Sequence, residues 1–90
     1  MKLSDKITIP TQVMARQVGQ ETVILDLASG TYFGLDPVGA RIWQLMVEGK
    51  ALAEVCESML AEYEVTPEKI EFDVLALAQD LSAKQLISVA

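Results

Sequence analysis

Few residues of this chain could do chemistry. Its 90 residues include a single cysteine, Cys56, and no histidine, so the commonest general base and metal ligand is absent. Cys56 lies between Val55 and Glu57 in a helix-like pattern, and the chain has no imidazole to activate its thiol. No spacing of Asp and Glu matches a calcium-binding loop. The sequence therefore predicts a protein that is not an enzyme and that holds no metal or other cofactor.

Negative charge is unevenly distributed along the chain. Thirteen Asp and Glu residues against seven Lys and Arg give a net charge of −6. Nine of the acids fall between Glu48 and Asp80, a stretch with only two basic residues, Lys50 and Lys69. A nucleic acid is not an expected partner, because binding it without a basic face lacks the dominant electrostatic contribution. A partner with some positive charge fits better, although a merely solvated surface explains the same composition.

Length and composition limit the architecture and the location of the protein. Ninety residues, of which 51% are hydrophobic, leave room for one domain over residues 1–90. The first ten residues lack the apolar centre of a signal peptide, and no apolar run approaches the length of a membrane span. The lone cysteine cannot form an internal disulfide. We therefore expect a cytoplasmic protein with no membrane partner.

The elements that must position a binding site begin with strands. Residues 7–10 and 13–18 favour short extended pieces, and two apolar runs at residues 23–27 and 31–35 flank a turn. Gly30 in that turn can adopt a positive φ, which predicts a β-hairpin. Period two puts three side chains of the first hairpin strand on one face: Val23, Leu25 and Leu27.

Three helices follow the hairpin. Asp36 is a capping residue and Pro37 suits the first helical position, while Gly49 is a good terminator. A second helix fits residues 51–63, and Thr66 opens a third. The core stripe expected for the third helix is Ile70, Val74, Leu77 and Leu81. The predicted order is four strands and three helices, with residues 86–89 as a terminal strand or a packed tail. The fold class is α+β, and three helices beside a hairpin are winged-helix-like.

The second hairpin strand is the candidate binding element. Its sequence, TYFGL, contains neither a charge nor a proline to block pairing with another strand. At a sheet edge, its free amides and carbonyls would serve as a template for an added strand. The N-terminal strand or a second copy of the chain could instead cover this edge, so a homodimer is an alternative. Two shoulders of the third helix could wall a groove beside the strand: one has Asp73, Ala76 and Asp80, the other Phe72, Leu75 and Gln79.

Two segments resemble the PqqD-like family, small leader-peptide-binding domains also called recognition elements for ribosomally synthesised and modified peptides (RiPP recognition elements). The segments are VILDLASGTYFGLDPVGARIW (residues 23–43) and EFDVLALAQDL (residues 71–81). The likeness covers most of the chain after about residue 13. It is closer to stand-alone domains associated with lasso-type and other modified peptides than to the PQQ-pathway protein. The chain departs from the family pattern at Gln85, where related chains often carry glycine.

The resemblance implies a fold and a function. The fold is winged helix-turn-helix-like, with an N-terminal three-stranded antiparallel sheet and a three-helix bundle. A precursor's leader adds as a further antiparallel strand between the edge strand and the third helix. The domain delivers it, without catalysis, to a maturation enzyme such as a protease, cyclase or radical enzyme. The family pattern favours the Asp73 shoulder. The implied peptide-binding residues are Thr31, Tyr32, Phe33, Gly34, Leu35, Asp73, Val74, Ala76, Leu77 and Asp80.

Two rival interpretations concern proteins that do not bind a leader. A structural homodimerising module would pair its own edge strand with that of a second copy. A winged-helix regulator would need a basic recognition helix, which this acidic chain lacks.

Overall fold

Five strands and three helices follow one another in a computed structural model that describes every residue from Met1 to Ala90. The elements are β1 (Ile7–Thr8), β2 (Val13–Val18), β3 (Glu21–Asp26), β4 (Tyr32–Leu35), α1 (Pro37–Val47), α2 (Leu52–Glu62), α3 (Pro67–Ala83) and β5 (Ser88–Val89). The predicted α+β class and the order of four strands before three helices are confirmed. None of the helices combines the length and apolar character that crossing a bilayer requires.

Strands β2, β3 and β4 form a three-stranded antiparallel sheet in that order. Asp26 closes the turn between β3 and β4: its N–H donates to the carbonyl of Thr31 at 2.8 Å, and its carboxylate accepts from the N–H of Ala28 at 2.9 Å. Gly30 has a φ of +77°, as the turn prediction required. Asp26 is the only buried polar residue, and these bonds satisfy its side chain.

The helices lie on one face of this sheet. Ile24 and Leu35 are buried on that face, where α1 packs against β3 and β4. The opposite face carries the predicted period-two set, and this set points away from the helices: Val23, Leu25 and Leu27. Strand β3 has apolar residues on both faces, so its pattern could not show which face turns inward.

Side-chain caps start two of the helices, as predicted. The carboxylate of Asp36 accepts a hydrogen bond from the N–H of Gly39 at 2.7 Å at the start of α1. The hydroxyl of Thr66 accepts from the N–H of Lys69 at 3.2 Å at the start of α3. Because Asp36 is the only residue between β4 and α1, the first turn of α1 must lie beside the end of that strand.

Helix α3 ends in a Schellman motif. The N–H of Leu86 donates to the carbonyl of Leu81 at 2.9 Å, and the N–H of Gln85 donates to the carbonyl of Ser82 at 3.0 Å. Leu81 and Leu86 are both fully buried and supply the apolar contact that accompanies this motif. Gln85 has a φ of +60°, the left-handed conformation that favours glycine.

The core stripe of α3 differs from the prediction at one position. Ile70, Val74 and Leu81 are buried as expected, but Ala78 takes the fourth place. Leu77 is only half-buried, because it faces the space between α3 and the sheet.

The two ends of the chain meet in a second, two-stranded sheet. Strand β1 pairs antiparallel with β5, with Ile7 opposite Val89. Leu86 and Ile87, just before β5, are buried, so residues 86–89 form both a packed tail and a strand. The N–H of Ala53 donates to the carbonyl of Leu3 at 2.7 Å, which ties the N-terminal segment to α2.

Candidate functional site

Strand β4 is a sheet edge with free main-chain groups. Its only strand neighbour is β3. The hydrogen bond from Asp26 to the carbonyl of Thr31 fixes which residues of β4 bond to β3, because such pairs alternate in an antiparallel ladder. The residues that face β3 are Thr31, Phe33 and Leu35. The N–H and C=O groups of Tyr32 and Gly34 therefore point to the open side.

No other strand of the chain covers this edge. Strand β1 pairs with β5, and β2 pairs with the opposite side of β3. The alternative in which the N-terminal strand covers the edge is therefore wrong. The main-chain groups of Tyr32 and Gly34 remain available to an incoming strand.

A groove of about 390 Å³ runs between β4 and α3. Its volume lies in the range of sites that hold small ligands or side chains. Eleven residues line it: Phe33, Gly34, Leu35, Asp36, Val38, Gly39, Ile42, Asp73, Ala76, Leu77 and Asp80. The almost fully buried side chains of Leu35 and Ile42 make the floor of the groove apolar. The small side chain of Ala76 leaves space on the α3 side.

Seven of the ten predicted site residues line this groove: Phe33, Gly34, Leu35, Asp73, Ala76, Leu77 and Asp80. Thr31 and Tyr32 lie beside it at the hairpin turn, and the Tyr32 side chain is 70% exposed on the opposite face of the sheet. Val74 requires a correction. Its side chain is 0% exposed and belongs to the core, because it projects from the same face of α3 as Ile70 and Ala78.

Four groove residues were not predicted: Asp36, Val38, Gly39 and Ile42. They belong to the junction after β4 and to the first turns of α1. The sequence contains a signal for them, since a strand joined to a helix by a single residue brings the start of that helix beside the strand. On Gly39, a Cβ would come within 3.3 Å of both the Asp36 carboxylate and the Leu35 side chain, so glycine permits this close junction.

Of the two shoulders of α3, the one with Asp73 faces the groove. Asp73, Ala76 and Asp80 all line it together with Leu77. Phe72, on the other shoulder, is 70% exposed and does not line the groove.

The three carboxylates of the groove differ in their hydrogen bonding. Asp36 caps α1, and both carboxylate oxygens of Asp73 accept from the Lys69 ammonium group at 2.8 Å. The Asp80 carboxylate has no hydrogen-bond or ion-pair partner in the chain, so it is free to bind a cation. Lys84, one turn beyond Asp80, places its ammonium nitrogen 5.4 Å from the centre of the Phe33 ring.

The titratable groups with shifted pKa values lie outside the groove, in the core or in a surface ion pair. Burial raises the pKa of the Cys56 thiol, which is packed in the core. Arg41 forms an exposed ion pair with Glu62 at 2.8 Å, and its hydrogen bonds lower the pKa of that carboxyl. The structure contains no cluster of three or more Cys, Asp or Glu side chains that could hold a metal ion.

A second cleft, of about 440 Å³, lies at the opposite edge of the sheet between β2 and α1. Its wall includes Trp43 and Val47 of α1. A hydrogen bond from Leu27 to the carbonyl of Gln12 fixes the alternation along β2. The main-chain groups of Ala15 and Gln17 therefore point outward, and geometry alone offers two edges for strand addition.

Known proteins resemble this chain in sequence and fold. The family described as coenzyme PQQ synthesis protein D (PqqD) matches residues 21–87, which include β3, β4 and all three helices. A search of the curated proteins found no significant match. The structure of TbiB1 in complex with the TbiA(beta) leader peptide is 40% identical, with a TM-score of 0.82 over 89% of this chain and 93% of that chain. The structure of lasso peptide synthetase B1 complexed with the leader peptide is 28% identical, with a TM-score of 0.84 over 92% of this chain and 98% of that chain.

Proposed function

The chain belongs to the PqqD family, and from that premise we propose that it binds the leader region of a ribosomally made precursor peptide. It delivers the leader to a modifying enzyme or protease and catalyses nothing itself. The observation that carries this proposal is the open edge of β4 beside the groove walled by α3. Two structures similar to this chain contain a bound leader peptide, which supports the same role here.

Residues 1–90 act as one peptide-recognition domain in this proposal. A single cluster of 18 buried hydrophobic residues spans the sheets and the helices, which supports one folding unit. The second partner is the maturation enzyme, a protease, cyclase or radical enzyme, and the place of action is the cytoplasm. Binding raises the local concentration of the precursor at that enzyme.

The leader adds antiparallel to β4. The N–H and C=O groups of Tyr32 and Gly34 supply its main-chain hydrogen bonds, and these make no demand on leader sequence. Alternate leader side chains enter the groove over Leu35, Ile42 and Leu77, where apolar contacts supply most of the affinity and fix the register.

The family match favours the edge of β4 over the edge of β2 as the site of strand addition. The family match begins at residue 21, so it includes β4 and α3 but not β2. The two edges make different predictions for backbone amides. A leader on β4 perturbs Tyr32 and Gly34, whereas a leader on β2 perturbs Ala15 and Gln17.

Titration of the isotope-labelled protein with leader peptides encoded beside its gene tests the proposal. We expect saturable amide shifts at Tyr32, at Gly34 and along residues 73–80. Ala15 and Gln17 should keep their positions. Shifts confined to β2, or no shifts with any such leader, would contradict the proposed site.

A substitution at Gly34 isolates the main-chain contribution. Gly34→Pro removes an N–H that points away from β3, and an edge strand tolerates proline at such a position. Gly34→Ala is the matched control, because a Cβ there meets no atom within 4 Å and the N–H remains. Calorimetric titration with the leader should show about tenfold weaker binding or worse for the proline variant, since one hydrogen bond and the strand approach are lost. Equal affinities in two folded variants would argue against strand addition.

A further inference from the structure

An apolar patch occupies the sheet face that turns away from the helices. The alternation established for the strands puts six apolar side chains on this outer face, together with the charged side chains of Arg16 and Glu21. Val18 stands apart from the others, opposite Glu21 at the turn between β2 and β3. We call the other five the outer patch: Met14, Val23, Leu25, Leu27 and Tyr32. The central row runs across the sheet, with Met14 opposite Leu25 and Leu25 opposite Tyr32. None of these side chains lines the groove between β4 and α3.

No part of the chain covers the outer patch. All three helices lie on the other side of the sheet. The N-terminal segment pairs with β5 and with the start of α2. Leu27 is 65% exposed and Tyr32 is 70% exposed, so the patch presents apolar area to solvent. Exposed apolar side chains that lie together on one face can serve as an interaction surface.

The size and charge of the outer patch argue against a second copy as its occupant. Three strands spaced about 4.8 Å apart, over about four residues each, cover roughly 200 Å². A stable interface buries about 800 Å² on each partner. Each copy also has a net charge of −6, which opposes self-association. A transient partner fits a surface of this size.

The outer patch is continuous with the leader-binding edge. Tyr32 belongs to both, because its main chain points to the open edge while its side chain lies in the patch. A leader that runs antiparallel to β4 leaves the sheet at the hairpin turn, next to Leu27 and Tyr32. The segment to be processed follows the leader, so it emerges beside this apolar surface. An added leader strand would also place every second side chain on the outer face and widen it to four strands.

We infer that the outer patch is the docking surface for the enzyme that processes the leader-bound precursor. This inference rests on the proposed function and names the surface by which its second partner binds. The partner contributes an apolar surface next to its active-site entrance. Docking there holds that entrance at the point where the precursor leaves β4.

The test uses two double variants of the full chain with the precursor and the processing enzyme encoded beside its gene. Met14→Lys/Leu27→Lys adds two charges to the outer patch and leaves β4 and the groove unchanged. Val65→Lys/Phe72→Lys is the matched control, because it adds the same charge at exposed apolar residues away from both surfaces. Circular dichroism confirms that each variant is folded. Leader affinity, the rate of precursor conversion and sedimentation are then measured.

We expect leader affinities within about twofold of the wild type for both variants. Only the outer-patch variant should convert the precursor at least tenfold more slowly at limiting chain concentration. Conversion by that variant at the wild-type rate would overturn the inference. It would also be overturned if the wild type sedimented as a dimer and the outer-patch variant as a monomer with full conversion. Failure of the wild type to bind the leader would instead overturn the proposed function itself.

Discussion

At the scale of single residues, Asp80 is the best candidate for charge selection in the groove. Its carboxylate is exposed and has no partner, whereas Asp73 is engaged by Lys69 through two contacts of 2.8 Å. The two acids lie on the same shoulder of α3, two turns apart. They therefore form a natural pair for comparing a free carboxylate with a neutralised one.

We predict that Asp80→Asn weakens binding of a leader with a cationic side chain by about two- to fivefold at low salt, the usual strength of an exposed ion pair. Asp73→Asn should weaken it less, because Lys69 already neutralises that carboxylate. Titrations at two salt concentrations check both values. The prediction is wrong if the loss persists for a leader whose Lys and Arg residues are replaced by Gln.

Cys56 gives a prediction about reactivity. Its thiol has a raised pKa because burial disfavours the thiolate, so it stays protonated at neutral pH. We expect negligible reaction with Ellman's reagent in the native protein and complete reaction in denaturant. Rapid labelling of the native protein would show that the thiol is accessible. Cys56→Ala should bind the leader with unchanged affinity, since the thiol does not line the groove.

The sequence predicts most of the candidate site because helix periodicity predicts its geometry. Asp73, Ala76, Leu77 and Asp80 have the spacing i, i+3, i+4 and i+7, which defines one stripe of a helix. The misplaced residue, Val74, is only about 100° from Asp73 around the axis. At the boundary between groove and core, this rotation decides whether a side chain is exposed or buried, and only the packing of the sheet determines that boundary.

At the scale of elements, the C-terminal end of α3 retains a strained residue. Gln85 has a left-handed backbone in the Schellman motif, a conformation that costs a non-glycine residue about 1 kcal/mol. The departure from glycine, visible in the sequence, therefore has a local energetic cost. The motif itself is intact, as both of its hydrogen bonds are formed.

We predict that Gln85→Gly raises the free energy of unfolding by about 1 kcal/mol, which corresponds to about 4–8 °C in Tm for a domain of this size. Ala83→Gly is the contrasting control. It lies within α3, where glycine should cost up to about 1 kcal/mol. Thermal and urea denaturation followed by circular dichroism measures both. An unchanged or lower stability for Gln85→Gly would contradict the strain.

Strand β3 shows where element-level prediction reaches its limit. Its existence and its hairpin follow from alternation and from the turn residues, although the strand spans residues 21–26 rather than the predicted 23–27. The direction of its faces does not, because ETVILD presents apolar residues on both sides. Ile24 fills the core while Leu25 faces outward, and the contact with α1 determines this choice.

At the scale of the whole molecule, the pairing of β1 with β5 closes the fold. Each strand has two residues, and they come from opposite ends of the chain. Periodicity in so short a segment carries little information, so the sequence could not predict this pairing. Ile7 is buried there among residues of the main core.

We predict that Ile7→Ala lowers the free energy of unfolding by about 2–4 kcal/mol, because it leaves a cavity in a thin core. Thr8→Ala, at the exposed neighbour on the same strand, should change stability by less than about 0.5 kcal/mol. Urea denaturation gives both values. Similar effects of the two substitutions would show that β1 is not anchored by its buried residue.

The pairing of the first and last strands also has a consequence for protein engineering. The N–H of Ala90 donates to the carbonyl of Lys6 at 2.9 Å, so the last residue lies beside a residue only five positions from the first. A unit with adjacent ends can be inserted into a surface loop of another protein, or circularly permuted, without stretching its backbone. The domain can therefore be inserted as one unit into an enzyme that has no substrate-binding domain of its own.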